Sequence, residues 1–374
     1  MCIDLSCVSR FILVSYKTLM RFIGNLHCRC ETPGTIHHVP DKRRKQLTLC
    51  LERVMLSLNK AKETERNSVY NMKRRTWLIA VLTALVLLCT GCGKAPQPEG
   101  RTVTDMKGRE IVLNGDVTRV VALTAADCEI LYAIGAGDAL VGRGEYCDYP
   151  QAALSLPAVQ SGAGTNIEQI IALTPQVVFM DTMAQSVEQI EQLETAGIRV
   201  VVSDAVNLEG VYDSISLIGR VMSREQEAEK VIGGMKQSFQ ELSDKAAAHA
   251  DKPSVYFEIS PLKDGLWTAG AGTFMDEAAF LLGAKNVFGD VTGWAGISEE
   301  QVIQRDPGYI VTTDKYSGTG PTPEQEIAGR AGWGHLRAVK DGHILNLSDD
   351  SLVRPGPRLA DGVKELYDFL YAGK

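Results

Sequence analysis

Hydrophobic positions along this chain change period several times, and the changes mark out its parts. Arg119 to Leu123 is a short apolar run that reads as a buried strand. Helix-spaced Ile130, Leu131 and Ile134 follow it, closed by Gly135. Val177–Met180 and Val200–Val202 are further runs of the same kind, and a helix-period segment such as Val187, Ile190, Leu193 and Gly197 separates them. Alternating strands and helices predict a mainly parallel sheet covered on both faces, over residues 101–207. From Leu208 the helical period is sustained through Val211, Ile215, Ile218 and Met222, and again through Ala228, Ile232, Met235, Phe239 and Leu242. Ser223-Arg-Glu-Gln226 between them has the form of a capping box. It predicts a second helix running to Ala248, roughly 26 residues and about 39 Å long. Pro253 ends that helix, and Ser254–Ile259 opens a new strand and a second α/β lobe over 251–374. The expected fold is α/β: two Rossmann-like lobes joined by long, rigid helices at 208–250, with a cleft between the lobes.

Residues 73–92 break the globular pattern. A basic head, Lys73-Arg-Arg75, precedes an apolar run from Trp77 to Cys89 and then small residues, the layout of a bacterial export signal. The run is shorter than the about 20 residues needed to cross a bilayer as a permanent helix. Thr90-Gly91-Cys92 resembles the lipobox of bacterial lipoproteins, in which the Cys is acylated and becomes the mature N-terminus; Cys89 stands where that family usually has Leu. The resemblance makes Cys92 the lipidation site, 72–91 the signal peptide and 92–100 a flexible tether containing Pro96 and Pro98. An ordinary signal with an incidental Cys is the alternative. Met72 then becomes the expected start, and residues 1–71 are set aside from the fold. The competing reading, a zinc site from Cys28, Cys30, His37 and His38, has the wrong gaps between paired ligands. Of nine cysteines, Cys92, Cys128 and Cys147 survive such processing, and Cys128 and Cys147 either pair or stay free.

Composition narrows the function. At 374 residues, 45% hydrophobic and 23% charged, the chain is long enough for two cores. A net charge of -7 argues against a nucleic-acid surface. Hydrolase elbows, His-Glu-x-x-His and phosphate loops are missing from the sequence, and Gly135-Ala-Gly137 follows a helix instead of opening one. An enzyme is therefore not expected. His249, His335 and His343 are dispersed and read as surface or satisfied residues.

An internal repeat carries more. Glu168-Gln-Ile-Ile-Ala-Leu-Thr-Pro175 matches Glu300-Gln-Val-Ile-Gln-Arg-Asp-Pro307, with strand-like residues after each Pro. Glu129 to Ala136 is loosely echoed by Glu277 to Ala284. Asn166 and Ser298 can cap the two helices, leaving Glu168 and Glu300 as first-turn acids favoured by the helix dipole. Alternatively, one exposed Glu per lobe docks into an arginine pocket on each half of a dimeric partner. Spacing alone leaves both open.

Over residues 101–374 the chain resembles the solute-binding proteins of ABC importers for iron-siderophore, haem and cobalamin, the group with a rigid helical backbone between lobes. The resemblance rests on Val103–Glu110, Arg119–Leu123, Glu129–Gly137, Glu145–Pro150, Asn166–Gln169, Trp294–Glu300 and Arg354–Arg358. It implies a receptor without a cofactor of its own, anchored by lipid in the cell envelope and monomeric. Such a receptor captures a metal chelate and delivers it to a permease dimer with its ATPase subunits, with Glu168 and Glu300 engaging arginines on the permease. Within the group, Tyr146 in Tyr-x-Asp-Tyr-Pro, Trp294, Asp350 and Arg354 match ligand-contacting positions of the cobalamin-binding member, and Trp267 is a further wall residue. Aromatic faces suit a broad, partly apolar corrin ring with an amide rim. The pattern departs before Asn166, where Gly162-Ala-Gly-Thr165 stands in place of that member's Trp. A ferric siderophore or haem is the alternative ligand, with Arg354 and Arg358 gripping carboxylates bidentately; the same arginines also read as structural ion-pair residues. A third class, an exported lipoprotein outside transport, leaves the paired Glu repeat unexplained.

Overall fold

A computed structural model describes residues 100–182, 186–316 and 318–371. Cys92, the export signal, the tether up to residue 99 and the expected start at Met72 lie outside the described residues. A hairpin of β1 (Arg101–Thr104) and β2 (Glu110–Leu113) leads into the first lobe. There β3 (Val120–Ala122), α1 (Ala125–Ala133), β4 (Leu140–Gly144), β5 (Ala158–Val159), α2 (Ile167–Ala172), β6 (Val177–Met180), α3 (Val187–Thr195) and β7 (Arg199–Val202) follow in turn. The sheet order is β5-β4-β3-β6-β7, with every pairing parallel. These strands are apolar on both faces because helices cover both faces. One face packs with the linking helices; the other forms a separate core around Ile170, Ile190, Leu193 and Val200.

α4 (Leu208–Met222) and α5 (Glu225–Ala247) link the lobes. The capping box expected at Ser223 does not form. Ser223 instead ends α4 in the left-handed conformation, with φ 54°, and its hydroxyl accepts from Arg101. Arg224 takes the position before α5 without a side-chain cap. A residue closing one helix in left-handed geometry cannot also hold the extended backbone of an N-cap. The second helix is therefore 23 residues, about 35 Å, against the expected 26. With two residues between them, α4 and α5 pack on each other; α4 also meets α1 and β1, and α5 also meets α6 (Phe274–Leu281) and α10 (Leu359–Tyr371).

The second lobe completes the fold with β8 (Ser254–Glu258), β9 (Trp267–Ala269), α6, β10 (Lys285–Asn286), β11 (Trp294–Gly296), α7 (Glu299–Arg305), β12 (Tyr309–Thr312), α8 (Pro323–Gly329), α9 (Arg337–Lys340), β13 (Ile344–Asn346) and α10. Its parallel sheet runs β10-β8-β12-β13, and β9 and β11 form a separate antiparallel hairpin. One apolar core runs unbroken from Val120 and Phe179 through Ile215, Met235 and Phe239 to Val255 and Leu366. Each fully buried large side chain contributes about 2 kcal/mol, so the lobes are welded through the helices.

The internal repeat extends to the backbone. Thr174 and Asp306 occupy the same place in the two copies, just before Pro175 and Pro307, with φ of 48° and 42°. Left-handed geometry is uncommon for side chains of either kind. Finding it twice at matching offsets shows that both copies end their helix with the same turn into a strand.

Candidate functional site

In a parallel sheet each strand ends at a carboxyl edge, and ligand sites of α/β folds lie beyond it. Here the segments leaving β4 of the first lobe meet those leaving β12 and β13 of the second. The Arg354 guanidinium reaches across: one nitrogen lies 2.9 Å from Glu129 and 2.7 Å from Asp148, the other 2.5 Å from Asp350. It also donates to the Tyr146 carbonyl at 3.2 Å. Arg358 donates twice to Glu129, both at 3.0 Å, pairs with Asp349 and covers the Tyr149 ring at 4.1 Å. The Lys315 ammonium bridges Asp350 at 2.8 Å and Asp148 at 3.4 Å. Three cations of the second lobe thus face four carboxylates, two of them from the first lobe, and the cluster carries net negative charge.

The electrostatics follow from this pairing. Burial works to raise the Asp148 carboxyl, but Arg354 and Lys315 outweigh it and hold the group below its usual range. The Asp350 hydrogen bond, with help from Asp148, holds the Lys315 ammonium above its usual range. Asp350 is buried and sits at φ 64°, a left-handed position that Asp tolerates better than most side chains. Its carboxylate is already committed to Arg354 and Lys315.

The aromatic candidates are differently placed. Tyr146 is 68% exposed just past the end of β4, and Trp267 is 47% exposed in the β9–β11 hairpin. Trp267 pairs in register with Gly296 across the hairpin. Trp294 lies half-buried in the same hairpin, edge-on to Phe274 at 5.3 Å. Ser260, just beyond β8, bridges to Trp267, so the hairpin rises from the carboxyl edge of the second sheet. The structure therefore brings Tyr146, Asp350, Arg354 and Arg358 together, and Trp267 and Trp294 together beside them on the second lobe. His343 stacks on Tyr309 at the amino end of β12, and His249 stacks on Tyr371. A hollow of about 750 Å³ lies beside β10, the edge strand of the second sheet, lined in part by Lys252, Phe280, Lys285 and Arg305; it contains none of the nominated residues.

Glu168 and Glu300 are both exposed in the first turn of α2 and α7. Each helix runs back to the start of the next parallel strand, so its N-terminus lies at the carboxyl edge of its lobe. Asn166 caps α2 by accepting from the Gln169 N–H; Ser298 and Gln301 cap α7 reciprocally. A hydrogen bond from Ser298 and backbone donors lower the Glu300 carboxyl from its usual range. Both side chains are exposed to solvent.

Sequence reasoning missed Glu129, Asp148 and Lys315. A signal for Glu129 was present in the loose repeat with Glu277, because both glutamates leave their own lobe: Glu129 pairs with Arg354, and Glu277 accepts from the Leu208 N–H at the start of α4 at 2.7 Å. Asp148 sat inside a recognised phrase, and Lys315 had no local pattern to betray it.

Known proteins agree with this geometry. The periplasmic binding protein family profile matches residues 120–350. An uncharacterized ABC transporter substrate-binding lipoprotein, YvrC of Bacillus subtilis (strain 168), is 31% identical over 80% of this chain and 98% of its own. The vitamin B12-binding protein of Salmonella choleraesuis (strain SC-B67) is 28% identical over 67% of this chain and 90% of its own. The crystal structure of a periplasmic heme-binding protein from Pseudomonas aeruginosa is 27% identical, covering 69% of this chain and 94% of that one with a TM-score of 0.62. With its two parallel sheets, their facing carboxyl edges and this match over most of its length, the chain belongs to the periplasmic binding protein family, the solute-binding proteins of ABC importers.

Proposed function

We propose that this protein is an extracytoplasmic, lipid-anchored receptor that binds a corrinoid between its lobes and delivers it to an ABC permease dimer and its ATPase subunits. The supporting observation is the state of the cations at the rim. Arg354, Arg358 and Lys315 are all engaged with carboxylates of the chain, in a cluster of net negative charge, while Tyr146 and Trp267 offer bare aromatic faces. A ligand read through carboxylates, such as an anionic siderophore, would have to break these pairs and leave buried acids unpaired. A broad ring with a neutral amide rim asks for aromatic cover and hydrogen bonds instead. The B12-binding relatives point the same way. Haem is the second reading, favoured by the exposed Tyr146 phenol, a group able to serve as an axial iron ligand. In this proposal Glu168 and Glu300 dock the loaded receptor on the permease, Cys92 carries the lipid, and the ligand is cargo.

Calorimetric titration with cobalamin, haem and ferric siderophores under identical conditions tests this reading. Submicromolar binding of cobalamin alone is the expected result. Haem binding with a tyrosinate charge-transfer band that Tyr146→Phe removes would replace the corrinoid reading, and tight binding of a ferric siderophore alone would overturn it.

A further inference from the structure

Cys128 and Cys147 take no part in the site described above, yet they meet behind it. Cys128 lies in the first turn of α1 and Cys147 in the segment leaving β4; both are fully buried. The two thiols are neighbours, and the Cys147 thiol donates to the Ala122 carbonyl, at the end of β3, at 3.7 Å. Each is next to a cleft residue: Cys128 precedes Glu129, and Cys147 stands between Tyr146 and Asp148. Both are free thiols in this structure.

We infer that Cys128 and Cys147 are an oxidation site that closes to an intramolecular disulfide as the exported chain folds, stapling the Tyr146–Asp148 segment to α1. The inference rests on the proposed extracytoplasmic location, where disulfides form and persist. The chemistry is thiol–disulfide exchange with an oxidant of the disulfide class, such as a dithiol oxidase of the envelope or glutathione disulfide. One thiolate attacks the oxidant's sulfur, forming a mixed disulfide and expelling one oxidant thiolate. The second protein thiolate attacks the mixed disulfide, forming the Cys128–Cys147 bond and expelling the other. Two protein thiols lose two electrons and two protons, and the oxidant becomes two thiols.

Timing follows from burial. In the folded protein the neighbouring Cys128 thiol and burial push the Cys147 thiol well above its ordinary range, so thiolate is scarce and no oxidant reaches it. The bond must form while this segment is still open. Afterwards the same burial shields it from reductants. Closure joins residues that contact both lobes through Glu129 and Asp148, so the staple would hold the first lobe's wall of the cleft in register.

The test uses the mature chain, unfolded in guanidinium with dithiothreitol and refolded in a glutathione disulfide buffer. Remaining thiols are alkylated after denaturation, and trypsin separates Val120–Arg143 from Gly144–Arg199, each with one cysteine. The expected result is a linked pair of these two peptides, 2 Da lighter than the two thiol peptides together, and a thermal midpoint that falls by several degrees on reduction. Recovery of both peptides carrying alkyl groups, or linked to other cysteines, would overturn the inference. The same linked pair should appear in protein acid-quenched directly from the host envelope. Separately, tritiated palmitate labelling that Cys92→Ser abolishes reads the export proposal, so loss of one can be told from loss of the other.

Discussion

The two lobes share a plan and divide the work. Each has a parallel sheet, a helix whose N-terminus is capped by a side-chain oxygen and an exposed Glu in that helix's first turn, with the same left-handed turn into the next strand. Their cleft walls are not alike. The first lobe contributes Glu129, Asp148 and the exposed Tyr146; the second contributes Arg354, Arg358, Lys315 and the tryptophan hairpin, whereas the first lobe's antiparallel hairpin, β1–β2, packs on α4 and β7 instead. Repetition thus governs the exposed helix N-termini, where a symmetric partner would sit, and asymmetry governs the cleft, where an asymmetric ligand would sit. A two-fold symmetric partner engages like surfaces on both lobes; a ligand need not.

The largest expected effect tests the repeated face. Replacing both Glu168 and Glu300 by Arg should reduce ligand uptake by about 100-fold or more, as expected for reversing paired charges at an interface. Calorimetry should show cobalamin affinity within about twofold of the parent, because docking and capture use different surfaces. Glu188 provides a control. It also occupies the first turn of a capped helix, exposed and with its carboxyl lowered by a Ser186 hydrogen bond. Glu188→Arg should leave uptake unchanged. Equal loss in the control would mean that any acid at that edge suffices, and the paired docking would be wrong.

The next effect lies where the lobes differ. Arg354→Met removes the cation shared by Glu129, Asp148 and Asp350 and should destabilise the protein by about 3 kcal/mol in urea unfolding, the lower end for a broken buried pair because Asp148 is half exposed. Arg330→Met offers a comparison within one lobe. Arg330 grips Glu258 with two hydrogen bonds of 2.7 and 2.8 Å, and both side chains are almost wholly buried. Its loss should cost about as much or more, without changing cobalamin affinity. A smaller effect belongs to the hairpin: Trp267→Ala or Trp294→Ala should weaken cobalamin binding by about tenfold each, about 1.4 kcal/mol. Unchanged affinity in both would remove the hairpin from the ligand wall.

How far the sequence disclosed this molecule depends on the range of the interaction. Local signals were legible: apolar runs placed β3, β6, β7 and β8, and Asn166 and Ser298 were readable as caps because a cap acts within three residues. The form cap-x-Glu-Gln occurs at Asn166, Ser186, Ser223, Ser298 and Thr322, and four of the five cap a helix. Ser223 fails because α4 claims it as a terminus, a competition the four residues do not encode. The same form also shows why first-turn glutamates could not be sorted by spacing; the resemblance singled out Glu168 and Glu300. Asp148 and Lys315 are 167 residues apart, and their contact depends on how the sheets face each other. Arg354 and Arg358 were visible as cations near the site, but their commitment to Glu129 was not.

The smallest effect contrasts the buried acids of the two lobes. Glu258 has an arginine; Asp127, wholly buried in the first lobe, has hydroxyls instead, from Thr124 at 2.6 Å and Ser203 at 2.5 Å. Burial raises the Asp127 carboxyl to about 7, with Asp181 and Asp204 adding to the rise and the two hydroxyls only partly offsetting it. An acid raised in the folded state binds its proton there while the unfolded chain has already lost it. Its contribution is therefore complete at low pH and lost as pH rises through about 7. From pH 6 to pH 7 this group should remove about 1 kcal/mol of stability, and above pH 8 almost nothing more. Asp127→Asn, neutral at every pH, should lack that slope. Urea unfolding of parent and variant at pH 6, 7 and 8 measures the difference, and parallel curves would mean that Asp127 does not change its protonation over this range.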